Sequence, residues 1–222
     1  MTAGSLAPAL AAHLTRCWNS RVYDSDTRFN MAHAQIMLVV AGAKPAATSL
    51  RGRAGNWAKV SRTTYDLLRG AGYAVRVIDV GDREPTAVVA RDTGSADAVE
   101  DALYEWETVR DRPGERASNS TRLGRALGYP EGAIKAFAGS HGGDGLLEED
   151  DLPWDGETVA WWDVVGCFRL PADAGGLAEA RAWALDAIAR LCEAFPGIRP
   201  PHAGPWSSDL REVAALMRRR VE

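Results

Sequence analysis

The segment covering residues 35–48, QIMLVVAGAKPAAT, constrains the fold most, because an unbroken apolar run ends at a glycine, a lysine and a proline. Residues 36–41 have the length and β-branched content of a strand that is apolar on both faces, which predicts a strand inside a sheet. Gly42 and Pro45 then end that strand. Lys44 is therefore expected where a central strand gives way to a loop, a position at which open α/β sheets carry chemistry. The alternative is an ordinary lysine on a solvated loop.

Length and composition favour a globular chain of one large domain or two small ones. The 222 residues are 46% hydrophobic and 25% charged, so the chain can bury a sizeable core. A formal net charge of -4 argues against a broad phosphate-binding face, so nucleic acid is not an expected partner. One local basic cluster, formed by Arg51, Arg53, Lys59 and Arg62, leaves a protein-docking surface as an alternative.

The cysteines and the N-terminal segment favour a location in the cytoplasm. Cys17, Cys167 and Cys192 are odd in number and lack the CxxC spacing of zinc or redox sites, so we expect free thiols and a cytoplasmic location. The segment MTAGSLAPALAAHLTR has no positive charge ahead of its apolar part, which argues against export. No apolar run approaches the roughly 18 residues that a membrane span needs, so no membrane association is expected.

The first half of the chain predicts helices and strands around this segment. A short helix is expected near residues 10–18, and the polar stretch at 19–35 is expected to be a loop that either meets solvent or lines a cleft. Ser61 or Thr63 caps a further helix, which glycines end. The strands AVRVIDV and TAVVARD follow, and they form an antiparallel pair because GDREP is too short for a crossover. A helix over residues 95–109 comes next.

The second half predicts mostly helices. Charged residues with Pro113 and Gly114 predict a linker at 110–120, then two short helices separated by a Gly-Tyr-Pro break, the second over 130–138. TVAWWDVVGCFRL predicts a strand, followed by helices over 174–195 and from Asp209 onward. The fold class is therefore α/β or α+β, with a mixed sheet flanked by helices. We expect one domain over 1–222, with a sub-boundary at 110–120 between a sheet-and-helix half (35–109) and a helical half with one strand (121–222).

Three short segments resemble an uncharacterised prokaryotic domain family in which a strand ends in Ala-Arg-Asp and an LGYP-type helix break follows. They are VVARD at 88–92, RLGRALGYPEGAIKAF at 122–137 and the AGAKPA segment around Lys44. The likeness covers about residues 35–140. Some members carry cysteines just after the LGYP proline, where this chain has a Gly-Ala pair, so no role depending on those thiols is expected. The resemblance implies a fold and not a reaction.

Polar groups near strand ends are the candidates for chemistry. The sequence contains no GxGxxG, Walker, GxSxG or HExxH motif, so no cofactor or metal is expected. Carboxylates near cations acquire shifted pKa values, so these groups are candidates for hydrolysis, with Asp92 first as nucleophile or general base. Arg91 and Asp92 share one pocket only if the strand has ended there, and the alternative is a set of ordinary salt bridges. The groups are Lys44, Asp79, Asp82, Arg91, Asp92 and, within a strand, Asp163.

Other residues could assist such a reaction or line its pocket. His141, in the loop SHGGDG, could protonate a leaving group near neutral pH, although a loop histidine is also often incidental. Trp161 and Trp162 are adjacent on a predicted strand, so one ring either walls a pocket or packs under the C-terminal helices. The predicted substrate-binding residues are Arg91, Trp161, Trp162, Tyr129 and Arg62.

The preferred functional hypothesis is a cofactor-independent hydrolase of small molecules in specialised metabolism, with ring opening as one form. A strand-end aspartate, Asp92 or Asp163, would attack or activate water, and Lys44 or His141 would assist the leaving group. The rival hypothesis is a non-catalytic protein that sequesters a small molecule. A third is an interaction module that docks through the basic cluster. The oligomeric state is left open, with a homodimer among the alternatives.

Overall fold

The computed structural model describes residues 7–19, 27–48, 60–79, 85–109, 112–139, 171 and 173–198. These residues contain seven helices and three strands, and a sheet flanked by helices confirms the predicted α+β class. In chain order the elements are α1 (Pro8–Asn19), α2 (Thr27–Val40), β1 (Ala46–Thr48), α3 (Arg62–Gly70), β2 (Ala74–Ile78), β3 (Thr86–Ala90), α4 (Thr93–Thr108), α5 (Pro113–Ala126), α6 (Glu131–Gly139) and α7 (Ala174–Ala194).

The sheet has the order β1-β3-β2, so β3 is the central strand and every residue of it is buried. β2 pairs antiparallel with β3 in a register that places Val75 opposite Val89, which confirms the hairpin predicted from the short connection. β1 pairs antiparallel with the other edge of β3, with Ala46 opposite Ala90. Every strand pair among the described residues is antiparallel, so the parallel pair that a mixed sheet needs is not among them.

The strand predicted at 36–41 is wrong, because α2 extends to Val40 and the strand of this region comes later, at Ala46–Thr48. The residues from His33 to Val39 are all buried, so this part of the helix is covered on every side and shows no solvent-facing polar side. A short apolar run of this kind cannot be told from a buried strand by its periodicity. The polar loop predicted at 19–35 is also wrong over residues 27–35, which form the first turns of α2.

The predicted linker at 110–120 is helical from Pro113 onward, as part of α5. Pro113 suits the first turn of a helix, where its missing N–H costs nothing. Asn119 is buried and donates from Nδ2 to the carbonyl oxygen of Ala102 at 3.2 Å, and Arg122 pairs with Glu105 at 2.7 Å. Glu115 and Arg116, two of the charges that suggested a linker, are exposed on the outer side of this helix, which packs on α4 through Asn119.

The remaining helices agree with the sequence within two residues. Ser61 caps α3 by accepting a hydrogen bond from the Thr64 amide at 3.3 Å, and Gly72, with φ at 87°, follows its end. α7 begins after Asp173, whose side chain accepts from the Gly176 amide at 2.8 Å. The predicted strand TVAWWDVVGCFRL and the last predicted helix lie outside the described residues.

Two apolar cores lie on opposite faces of the sheet. Val89 and Ala47 face the larger core, which α1, α2 and α7 complete with Leu14, Met37 and Leu191. The neighbouring residues Val88 and Ala90 point to the other face and pack with α4 and the end of α5. This alternation is the period of two expected of a strand buried on both faces. Among the described helices, none has the length and apolar character that a membrane span requires.

Candidate functional site

The three segments that carry the family resemblance meet in space. The loop after α2 carries Lys44 and Pro45, and the Arg91 amide at the end of β3 donates to the Pro45 carbonyl oxygen at 3.0 Å. In the turn between α5 and α6, Gly128 lies against the Pro45 ring, and the ring of Tyr129 lies under the Lys44 ammonium. Segments more than 80 residues apart, from 44 to 129, thus form one junction at the end of the sheet.

Lys44 is buried at the centre of this junction, with 1% of its surface exposed. Its Nζ donates to Oε1 of Gln35 at 2.6 Å and lies 4.3 Å from the centroid of the Tyr129 ring. A buried ammonium needs such dipolar and aromatic contacts, because removal from water is costly. The alternative of a solvated loop lysine is therefore wrong. Its proposed role in assisting a leaving group stays a prediction, and the geometry shows instead that it joins α2 to the α5–α6 turn.

Asp92 has a structural role that the sequence interpretation missed. It is the N-cap of α4, and its Oδ1 accepts a hydrogen bond from the Ser95 amide at 2.7 Å. This bond, with a further one from the Ser95 side chain, holds the pKa of Asp92 below its ordinary value. The carboxylate is therefore ionised and exposed at neutral pH, but a lowered pKa makes it a weaker base. The signal was present, because an aspartate directly before a predicted helix, at a strand-to-helix transition, is typical of an N-cap.

The other predicted site residues are placed less centrally or lie outside the described residues. Arg91 is exposed beyond the last residue of β3, so the strand has ended before it, as a shared pocket with Asp92 requires. Arg62 begins α3 with its side chain 94% exposed, and its Nε lies 3.8 Å from Oδ2 of Asp66. His141, Trp161, Trp162 and Asp163 lie outside the described residues.

A groove lies away from this junction, between α1 and the end of α7. Its volume is about 670 Å³ and its lining is mainly apolar. The side chain of Asn19 donates to the Gly197 carbonyl oxygen at 2.8 Å and so ties the two walls together. The sequence signal is a stripe of small residues on the face of α1 opposite Leu10 and Leu14. The lining residues are Ala11, Ala12, Thr15, Arg16, Asn19, Ala194, Phe195, Pro196 and Gly197.

A polar cluster occupies a third position, between α1 and α3. His13 Nε2 lies 2.8 Å from Oγ1 of Thr64 and 3.5 Å from Sγ of Cys17, and Ser61 Oγ lies 3.0 Å from the same Thr64 oxygen. Burial, with a smaller effect of the Arg16 charge, lowers the pKa of His13. Cys17 is partly exposed and is not part of a disulfide. Within the part of the chain that the structure describes, no three His, Cys, Asp or Glu side chains are placed to hold a metal ion.

No family model, curated protein or solved structure matches this chain. The resemblance carried by the Ala-Arg-Asp and LGYP segments therefore stays a prediction. Function has to be argued from the geometry of the junction, the groove and the polar cluster.

Proposed function

We propose that this protein binds a small molecule with an apolar body and an anionic head in the groove between α1 and the end of α7. The observation that carries the proposal is the groove itself, whose volume of about 670 Å³ and apolar lining suit such a ligand. Pockets for small ligands are typically concave, mainly apolar and equipped with a few polar groups that set orientation. This proposal favours a sequestering protein over a hydrolase, because the groove accounts for binding of a ligand without any chemical conversion of it.

The polar groups of the groove favour an anionic head. Arg16 is the one charged residue among the groove's described lining, and Thr15 and Asn19 supply its other polar side chains. A guanidinium recognises a carboxylate through two parallel hydrogen bonds, which fixes orientation as well as charge. The small side chains of Ala11 and Ala12 leave room along α1 for the apolar body.

The test compares phenylbutyrate with its neutral amide, which has the same apolar body without the charge. Binding to the folded state raises the melting temperature, and calorimetry gives the two dissociation constants. We expect the carboxylate to bind about tenfold more tightly than the amide, since a charged hydrogen bond contributes about 1.5 kcal/mol or more. Arg16→Gln should remove that difference while leaving amide binding unchanged.

A matched pair of variants locates the site. Ala12 lines the groove and Ala182 is exposed elsewhere on α7, so each accepts tryptophan at a helix surface. Ala12→Trp should abolish binding of both probes, whereas Ala182→Trp should bind them like the unmodified protein. Binding that survives Ala12→Trp, or no melting shift with either probe, would overturn the proposal.

The cofactor-independent hydrolase is the second candidate, and one observation favours it. Asp92 presents an ionised, exposed carboxylate next to Arg91. The backbone amide of Arg91 donates a hydrogen bond to the carbonyl oxygen of Pro45, which directly follows Lys44. Mass spectrometry of strained-ring and ester compounds after incubation tests it, because hydrolysis adds the mass of water. Asp92→Asn should abolish any such turnover, and turnover that survives this change excludes Asp92 as the nucleophile.

A cytoplasmic location is part of the proposal. Neither of the two described cysteines, Cys17 and Cys192, forms a disulfide, as is usual in a reducing compartment. Nucleic acid is not among the proposed partners, because the chain carries a formal net charge of -4.

A further inference from the structure

His13 and Cys17 form a pair on α1 that the proposed groove does not use. They are four residues apart in the helix and therefore lie on the same side, which faces Thr64 of α3. Ala11 and Thr15, which line the groove, lie on the other side of the same helix. The pair brings a thiol within 3.5 Å of an imidazole nitrogen, the arrangement in which a base can activate a sulfur nucleophile.

Two hydrogen-bond donors, the Thr64 hydroxyl and the Cys17 thiol, can share the lone pair of His13 Nε2. Ser61 Oγ accepts from the Thr64 amide as the cap of α3, so its own hydroxyl proton is available to Oγ1 of Thr64, 3.0 Å away. Thr64 can then donate its hydroxyl proton to His13 Nε2 at 2.8 Å. In this order Nε2 carries no proton, and its one lone pair is shared between the Thr64 hydroxyl at 2.8 Å and the Cys17 thiol at 3.5 Å. The lowered pKa of His13 keeps the ring neutral at pH 7, as a base must be.

We propose that Cys17 is a reactive thiol that adds to electron-poor alkenes, such as α,β-unsaturated carbonyl compounds, with His13 as its base. His13 Nε2 takes the thiol proton, and the sulfur electron pair forms a bond to the β-carbon of the alkene. The π electrons of the carbon–carbon double bond move to the carbonyl as an enolate. The enolate carbon then receives a proton from the imidazolium, so the thiol has added across the double bond and His13 is neutral again.

The chain supplies an internal reference for this reaction. Cys192 is exposed on α7, and partial burial of its thiol raises its pKa. A raised pKa lowers the fraction of thiolate at neutral pH, and the thiolate is the nucleophile. Access alone would therefore favour Cys192, whereas activation by His13 favours Cys17. The two residues can be followed in one sample by the masses of their peptides.

The experiment measures the rate at which N-ethylmaleimide, an electron-poor alkene, labels each cysteine of the full chain at pH 7. EDTA is present so that adventitious metal does not cover the His13–Cys17 pair. We expect Cys17 to be labelled at least about tenfold faster than Cys192, which is less than the roughly 100-fold of a well-positioned base because the lowered pKa makes His13 a weaker base. His13→Gln should reduce the Cys17 rate about tenfold and leave the Cys192 rate unchanged. The proposal would be overturned if Cys17 were labelled at equal rates in the unmodified and His13→Gln proteins. It would also be overturned if Cys17 were labelled more slowly than Cys192.

The pH dependence of labelling separates a base from a residue that merely shapes the site, and it is measured first in the unmodified protein. The rate of an unassisted thiol rises about tenfold per pH unit below its pKa, because the thiolate fraction does. With His13 as base, the Cys17 rate should rise only up to the pKa of His13 and then level off. Arg16→Gln should move that point to higher pH, since Arg16 lowers the pKa of His13. A Cys17 profile that rises in parallel with that of Cys192 through pH 8 would also overturn the proposal.

Discussion

The ammonium of Lys44 lies 4.3 Å from the centroid of the Tyr129 ring, and this contact joins the loop after α2 to the turn between α5 and α6. Gln35 of α2 accepts a hydrogen bond from the same nitrogen at 2.6 Å, so α2 also contributes. Because Lys44 is 1% exposed, the ring and the amide replace contacts that water would make. The interaction therefore contributes to the stability of a junction that unites three distant segments of the chain.

Changing the Tyr129 ring tests how much this contact stabilises the fold. Tyr129→Leu removes the aromatic face from a desolvated cation, so we expect the free energy of unfolding to fall by about 2 kcal/mol. Tyr129→Phe keeps the ring over Lys44 and should cost at least about 1 kcal/mol less than the leucine variant. Urea unfolding followed by circular dichroism measures both values. Equal losses in the two variants would show that the ring's electrons do not stabilise the lysine.

Two substitutions of Asp92 separate its role as a helix cap from its charge. Asparagine keeps a capping oxygen without the charge, and alanine removes both. Asp92→Ala should lower the free energy of unfolding by about 1 kcal/mol, whereas Asp92→Asn should stay close to the unmodified protein, because asparagine caps helices equally well. The pKa of Asp92 is lowered in the folded state, so its charge stabilises the fold at neutral pH and this contribution is lost as pH falls through the folded pKa. Unfolding of both proteins at pH 7 and pH 3 measures the effect. A loss in Asp92→Asn as large as in Asp92→Ala would contradict the cap.

The sequence predicted correctly the elements whose ends are marked by a capping residue, a turn glycine or a short connection. α3 was correct because Ser61 caps it and a glycine with positive φ follows it, and the β2–β3 hairpin was correct because five residues cannot make a crossover. The second half of α2 was mistaken for a strand because residues 33–39 are all buried, so no polar face reveals the helical period. The first half of α5 was mistaken for a linker because its charges are exposed, and the linear sequence does not show that Asn119 packs on α4.

The candidate site was predicted only in part, for a similar reason. Lys44, Arg91 and Tyr129 were each singled out, and the structure brings their segments together. The hydrogen bond from the buried Lys44 to Gln35 could not be predicted. It requires residue 35 to lie in α2, and the sequence predicted a strand in that region. The pairing of His13 with Cys17 follows from their spacing on α1, but its link to Thr64 depends on how α1 packs against α3.

His13 should make stability depend on pH. Burial and then Arg16 lower its folded pKa below the ordinary value, so the unfolded chain binds a proton more readily than the folded one. The stabilisation is therefore present above the unfolded pKa, near 6.5, and is lost as pH falls through the folded value. NMR titration of the imidazole measures the pKa, and Arg16→Gln should raise it. A His13 pKa at or above that of a free histidine would contradict the buried, neutral state.

Three glycine-to-alanine changes separate backbone strain from contact at the junction. Gly128 has φ at 77° and a Cβ there would overlap the Pro45 ring, whereas Gly72 has φ at 87° and open space, and Gly70 has neither constraint. Gly70→Ala should leave stability unchanged or raise it by up to about 1 kcal/mol. Gly72→Ala should cost about 1–2 kcal/mol for the left-handed backbone.

Gly128→Ala should cost at least about 1 kcal/mol more than Gly72→Ala, because overlap with Pro45 adds to the same backbone strain. Urea unfolding of the three variants gives the difference. Since Pro45 directly follows Lys44, displacement of the proline should also move the ammonium off the Tyr129 ring. Tyr129→Leu should then destabilise the Gly128→Ala protein less than it destabilises the unmodified one. Strictly additive losses would mean that the glycine and the lysine act independently, and the junction would not be a single unit.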